Sequence, residues 1–335
     1  MIVASGVGSM PGSDASAYDE AVAVVLDTLP DLPFVPELPG RGPHAALPGR
    51  ALAVVAELAA DLQPAGWRLT GVGGSTGLDQ RRARSLLAQD LDAFEERAQG
   101  LAVPVKVQLA GPWTLAARVE RPRGDKVLAD RGARRELAQA LAEGLRDHVA
   151  DVRRRLGGVP LVVQLDEPAL PAVLAGRVPT ASGFHRHRSV QPPEADEALG
   201  WVLAAARESG ATPVVRCADP QAPVALLAGA GVDGVGGVAV DLDVLPAAAY
   251  DAVATLLEAG RPVHLGVVPG QAPAPAPTDA TVTDRVLRLL DMLGLDPGDA
   301  ATLVLTPGGG LAGADPAWAR AALALAARAA TNLRR

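Results

Sequence analysis

Pro160-Leu161-Val162-Val163-Gln164-Leu165, followed at once by Asp166-Glu167-Pro168, is the stretch that decides the architecture. A run of Val and Leu this short reads as a strand buried on both faces, as strands of a parallel sheet are. Two acids end the run, and Pro168 restricts Glu167 to extended backbone. Comparable runs lie on either side at Ile2–Val7, Pro33–Glu37, Pro104–Leu109, Pro213–Cys217, Gly236–Asp241, Pro262–Val268 and Thr302–Thr306. Stretches of helical period separate them: Ala21–Thr28, Ala51–Leu62, Asp79–Ala98, Arg134–Leu156, Glu194–Glu208, Ala222–Ala228, Pro246–Ala259, Thr283–Leu293 and, last, Pro316–Leu333. Eight strand–helix units in series predict an α/β fold, a (β/α)8 TIM barrel forming a single domain over residues 1–335, in preference to an open doubly wound sheet. Three stretches break the rhythm. Trp67–Gly77 reads as an extra strand with a Gly-rich loop, Arg177–Pro193 as a long loop with two histidines, and Gln271–Thr278 as a stiff Ala/Pro connection.

Composition agrees with a large apolar core. Hydrophobic residues make up 49% of the 335 and aromatics only 3%, so the core must be built of Ala, Val and Leu. The net charge of -7, without a run of one sign, argues against nucleic acid as a partner. A single cysteine, Cys217, excludes an internal disulfide. No apolar stretch reaches the length of a membrane span and no signal peptide is apparent, so a cytoplasmic location is expected, with no membrane partner.

In a barrel the chemistry lies at the C-terminal strand ends. The residues there are Gly8 and Ser9, Glu37, Gly111 to Thr114, Asp166 and Glu167, Arg216 and Cys217, Asp241, and Pro307 to Gly310, while the strand interiors read as almost wholly apolar. A polar ring on a greasy barrel suits a small-molecule substrate. Each acid has a second reading as a helix cap, and Glu37 has one as a surface partner of Arg41. Asp166 and Glu167 are the candidate catalytic pair, since adjacent carboxylates with separated pKa values can move protons.

These residues carry a family resemblance. Gln164-Leu165-Asp166-Glu167-Pro168-Ala169-Leu170, Val7-Gly8-Ser9, Gly111-Pro112-Trp113-Thr114-Leu115 and Val304-Leu305-Thr306-Pro307-Gly308-Gly309-Gly310-Leu311 resemble strand-end motifs of the cobalamin-independent methionine synthase family, in its short single-barrel form. The resemblance implies methyl transfer to homocysteine or a related thiol in methionine biosynthesis. It places Gly8, Ser9, Glu37, Thr114, Arg216 and Gly309 in substrate binding, with Ser9 at the carboxylate end of a homocysteine-like substrate and Asp166 at its amine. The methyl donor would be a folate or a methylated corrinoid protein, and the chain itself would bind no cobalamin. Arg118 stands where the family has a tryptophan, which disfavours folate stacking.

The family activates its thiol with zinc, and here the ligand positions are largely replaced. Gly309 stands where a ligand Cys would be, and Asp241 takes the position of an acid. The strand-five pair falls on Val215-Arg216-Cys217-Ala218 in one of two registers: Arg216 and Ala218 replace both ligands, or Cys217 keeps one and Val215 replaces the other. At most Cys217 and Asp241 remain as metal positions, short of the three protein ligands a catalytic zinc requires, unless His264, His185 or His187 completes them. A sharper expectation is that Arg216 replaces the metal's charge, pairing with Asp241 or with an anionic ligand, while free N–H groups of Gly308–Gly310 join in. Three functions follow: a methyltransferase, a family member that binds an amino acid or small anion without methylating it, and an acid–base enzyme on a phosphorylated or carboxylated substrate. The resemblance and its missing-metal corollary rest on the expectation that Ser9, Asp166, Arg216, Cys217, Asp241 and Gly309 share one rim.

Overall fold

The computed structural model describes residues 1–72, 77–229 and 236–334. Its centre is a seven-stranded parallel sheet in the order β1 (Val3–Ala4), β9 (Leu303–Pro307), β8 (Val263–Val268), β7 (Gly237–Asp241), β6 (Ala211–Arg216), β5 (Leu161–Asp166) and β4 (Val105–Ala110). Consecutive parallel strands need crossovers, and helices supply them: α4 (Pro112–Arg118) and α5 (Arg131–Arg155) lead from β4 to β5, and α7 (Pro192–Glu208) leads to β6. The last helix, α11 (Pro316–Asn332), packs back on β9 and β1. Val, Leu and Ala from strands and helices form one continuous apolar cluster around the sheet.

Local chemistry sets the helix starts. Asp14 caps α1 (Ala15–Thr28) by accepting from Ala17 N at 2.9 Å, Asp130 caps α5 through Ala133 N at 2.8 Å, and Asp315 caps α11 through Ala317 N at 2.8 Å. Pro112, Pro192 and Pro316 each open a helix, where the missing N–H costs nothing.

Two expectations need correction. The segment Pro33–Glu37 is not a continuous strand. It makes two isolated parallel bridges, Phe34 with Lys106 of β4 and Glu37 with Ser9 just beyond β1. Pro33 and Pro36 lack the N–H that an unbroken ladder needs. The bonds that remain run to both sides: Lys106 N to Pro33 O and Val35 N to Lys106 O, each 2.9 Å, then Glu37 N to Gly8 O at 3.0 Å and Met10 N to Glu37 O at 2.8 Å. The expected helix Ala51–Leu62 is also divided. Helix α2 stops at Val54 (Leu47–Val54), and β2 (Leu58–Gln63) pairs antiparallel with β3 (Gly66–Val72). Tertiary bonds override the helical spacing: buried Gln80 accepts from Ala60 N and donates to the carbonyls of Leu52 and Leu58. The extra strand expected near Trp67 is thus β3, and most of the Gly-rich loop at 71–77 lies outside the described residues.

Helix α5 passes so close to the end of α2 that a side chain on Gly144 would collide with the carbonyl of Val54. Gly144→Ala is therefore expected to cost about 1–3 kcal/mol through forced separation of the two helices. Thermal melting followed by circular dichroism reads this as a lowered Tm, and an unchanged Tm would contradict the close approach.

Candidate functional site

The sheet's inner face is more polar than its sequence suggested. Lys106 and Gln108 on β4, Gln164 on β5, His264 on β8 and Thr306 on β9 are all buried there. The ammonium of Lys106 and the amide of Gln164 both donate to Val7 O, each at 2.9 Å, which ties β4 and β5 to the segment after β1. Gln108 accepts from Lys106 at 3.2 Å and donates to Val35 O at 2.7 Å. Gly8, at a φ of +141°, leaves room for this: a Cβ there would lie 2.6 Å from the Gln108 side chain. The signal was present in Val105-Lys106-Val107-Gln108-Leu109, where a polar residue recurs every second position and so faces one side.

Asp166 ends β5 in register with Arg216 on β6, and Gln164 donates to its Oδ1 at 2.9 Å. Burial pushes its carboxyl up to about 6; Arg216 and Lys106 pull the other way, while Glu37 adds to the rise. Burial drives the Lys106 ammonium down to about 7 against the attraction of Asp166 and Glu37. Each group's charge favours the charged form of the other.

Arg216 Nη2 lies 3.3 and 3.2 Å from the two carboxylate oxygens of Asp241. Asp241 Oδ2 also accepts from Gly309 N at 2.8 Å, and Leu311 N donates to Ser9 O at 3.0 Å. Glycine is required around this knot. A Cβ on Gly266 would strike the Asp241 carboxylate, and one on Gly310 would strike the Ser9 hydroxyl. Ser9, Asp166, Arg216, Asp241 and Gly309 are thus gathered at the C-terminal end of the sheet. The N–H groups of the glycine run are less available than expected, because Gly308 donates to Val268 O at 2.7 Å and Gly309 to Asp241.

Glu167 and Thr114 turn away from this group, while Glu37 stays beside Ser9 through its backbone and directs its carboxylate to Arg50. Glu167 is fully buried, and both its oxygens are engaged at the start of α4: Trp113 N at 2.9 Å, Thr114 N at 2.7 Å and Thr114 Oγ1 at 2.7 Å. Burial pushes its carboxyl up to about 7 while these bonds oppose the shift. These bonds hold α4 to the end of β5, with Thr114 as the anchor. Glu37 is buried and bonded to Arg50 Nε at 3.1 Å, not to Arg41. Arg41 binds Asp90 with two bonds of 2.8 and 2.7 Å, and Arg50 reaches the same carboxylate at 2.6 Å.

Zinc does not fit these residues. Arg216 has no lone pair to offer, and Asp241 is already engaged by a cation and an N–H. Cys217 follows Arg216 in the chain and belongs to the apolar core, 1% exposed. Burial pushes its thiol up to about 12, with Glu167 and Asp219 adding to the rise. His187 lies 3.2 Å from Asp125, and His264 sits near the opposite end of the sheet. Among the described residues no group of three or more His, Cys, Asp or Glu converges as a metal site, and no helix is long and apolar enough to cross a membrane.

No protein-family model matches the sequence, and no curated protein matches it. Among solved structures the chain is similar to a B12-independent methionine synthase from Shewanella sp., in complex with selenomethionine, with 13% identity, a TM-score of 0.63 and coverage of 100% of this chain and 98% of that one. It also overlaps a β-1,4-D-mannanase from Cryptopygus antarcticus with 12% identity, a TM-score of 0.46 and coverage of 97% and 90%. The first likeness shows a shared fold over the whole length.

The raised carboxyl of Asp166 has a consequence for stability. A carboxyl with a higher pKa folded than unfolded favours folding fully below its unfolded value, here about 3.8, and that contribution is lost as pH rises through about 6. Asp166→Asn should remove a pH-dependent decline of about 1–3 kcal/mol between these limits. Parallel denaturant titrations of the two proteins read the difference, and identical pH profiles would contradict the shift.

Proposed function

We propose that the chain is a closed (β/α)8 barrel of methionine-synthase-like architecture whose mouth binds a small amino acid or similar carboxylate without zinc. The closure rests on Phe34–Glu37, which bridges to Lys106 on one side and to Ser9 on the other and so supplies the eighth position. The function rests on the Arg216–Asp241 pair, which puts a fixed organic cation where the resemblance implies a metal.

Arg216 has five N–H donors, and its described bonds use only Nη2, so the rest of the guanidinium is available to a ligand carboxylate. Asp166 accepts through Oδ1 alone, which leaves Oδ2 for a ligand ammonium. Ser9 adds a hydroxyl beside Gly310. A zwitterion spanning Asp166 and Arg216 would meet opposite charges at its two ends, in surroundings where partial desolvation strengthens both. The relative from Shewanella sp., held in complex with selenomethionine, supports a ligand of this class.

Methyl transfer to a homocysteine-like thiol, from a folate or a corrinoid protein, is the fuller activity, and the same likeness favours it. That reaction needs a thiolate. Among the described residues none at the mouth supplies one by metal binding, so the binding function is the better supported, and a cytoplasmic enzyme activity is the further proposal.

Calorimetric titration with methionine and with homocysteine, in EDTA and then with added zinc, tests this. Binding unaffected by EDTA is expected, and Arg216→Met should weaken it by about 1.5–3 kcal/mol, roughly 10- to 150-fold. Binding that appears only with zinc, or that survives Arg216→Met intact, would overturn the reading.

A further inference from the structure

A cavity of about 450 Å³ opens at the N-terminal end of the sheet, opposite the mouth. Its volume is in the range of small-molecule sites. Val3, Leu32, Val103, Val162, Pro262 and Val304 give it apolar walls. Among its polar lining residues are Thr212 and His264.

His264 is the feature that needs explaining. It is 2% exposed, its Nδ1 is buried without a hydrogen-bond partner, and no bond to Nε2 is described. Burial, with the nearby Lys106 charge acting in the same direction, holds the ring down to about 3 and so neutral. A neutral imidazole carries one donor and one acceptor. Leaving such a group unpaired in an apolar setting is costly, and native proteins seldom do it. The ring lines the cavity, and Nε2, which unlike Nδ1 is not closed off from it, is the nitrogen that a molecule seated there can bond.

We propose that this cavity is a second ligand site, taking a small molecule with an apolar, ring-sized body and one hydroxyl that hydrogen-bonds the His264 ring. The apolar walls select the body. A hydroxyl both donates and accepts, so it suits Nε2 whichever ring nitrogen carries the proton, and the charged groups on the lining, the Met1 ammonium and Asp31, already bond Ala301 O and Arg334 and call for no ionic head. The site lies at the far end of the sheet from Arg216 and is independent of what binds there.

Phenol and toluene have nearly the same shape and differ in the hydroxyl, which makes them the probes. With the full chain, phenol should bind about 5-fold more tightly than toluene, the worth of one ordinary hydrogen bond, and should shift the His264 ring nitrogens in long-range proton–nitrogen NMR spectra. His264→Leu should bind the two equally. The proposal is overturned if neither probe binds, if phenol holds no advantage in the unaltered protein, or if phenol binds and leaves the His264 nitrogens unmoved. The NMR readout on the unaltered protein stands even if the variant folds poorly.

Discussion

One arginine–carboxylate pair ties the C-terminal end of the sheet together. Arg216 and Asp241 end neighbouring strands, and Asp241 reaches on to Gly309 in the turn after β9, which lies against Ser9 beyond β1. The pair is largely withdrawn from solvent, with side chains 12% and 15% exposed. Removing one member of such a pair leaves its partner desolvated and unpaired, which costs far more than a surface bridge returns. The glycines at 266 and 310 follow from the same knot, because side chains there would occupy the space the carboxylate or the Ser9 hydroxyl already fills.

The charge of this pair is embedded in a wider polar interior. Lys106 and Arg216 face Asp166 and Glu37, with Gln108 and Gln164 bonded between them. Further out, Arg50 joins Glu37 to Asp90 on α3 (Leu78–Arg97), and Arg41 shares Asp90 with it. Isolated, any of these charges would be unstable in so apolar a core; together they satisfy one another. A guanidinium supplies positive charge and directional donors, but it offers no lone pair and stays protonated, so it can hold an anion without generating a thiolate.

Much of the frame was legible because Val- and Leu-rich runs survive as strands with ends shifted by a residue or two, as β4 to β9 show. The exceptions have physical causes. Pro33 and Pro36 break a ladder that the apolar run implied, and the Ala-rich spacing at 51–62 concealed a hairpin held by Gln80. The site was harder to read than the frame, since its partners are distant in sequence. Asp166, Arg216, Asp241 and Ser9 were visible as strand-end residues. Glu167 looked like their companion, yet the donors that occupy it are more than 50 residues away at Trp113 and Thr114. Cys217 sits next to the site cation in sequence but lies in the core, as neighbouring residues on a strand point to opposite sides. Lys106 was overlooked because a strand buried on both faces was expected to be apolar, although its alternation with Gln108 marked an inward polar stripe.

If Arg216 stands in the place of a metal, purified protein equilibrated with zinc and passed through a desalting column should retain only traces of zinc by elemental analysis, and the same after Asp241→Asn. A full equivalent of zinc held tightly by each chain, and lost in that variant, would contradict it.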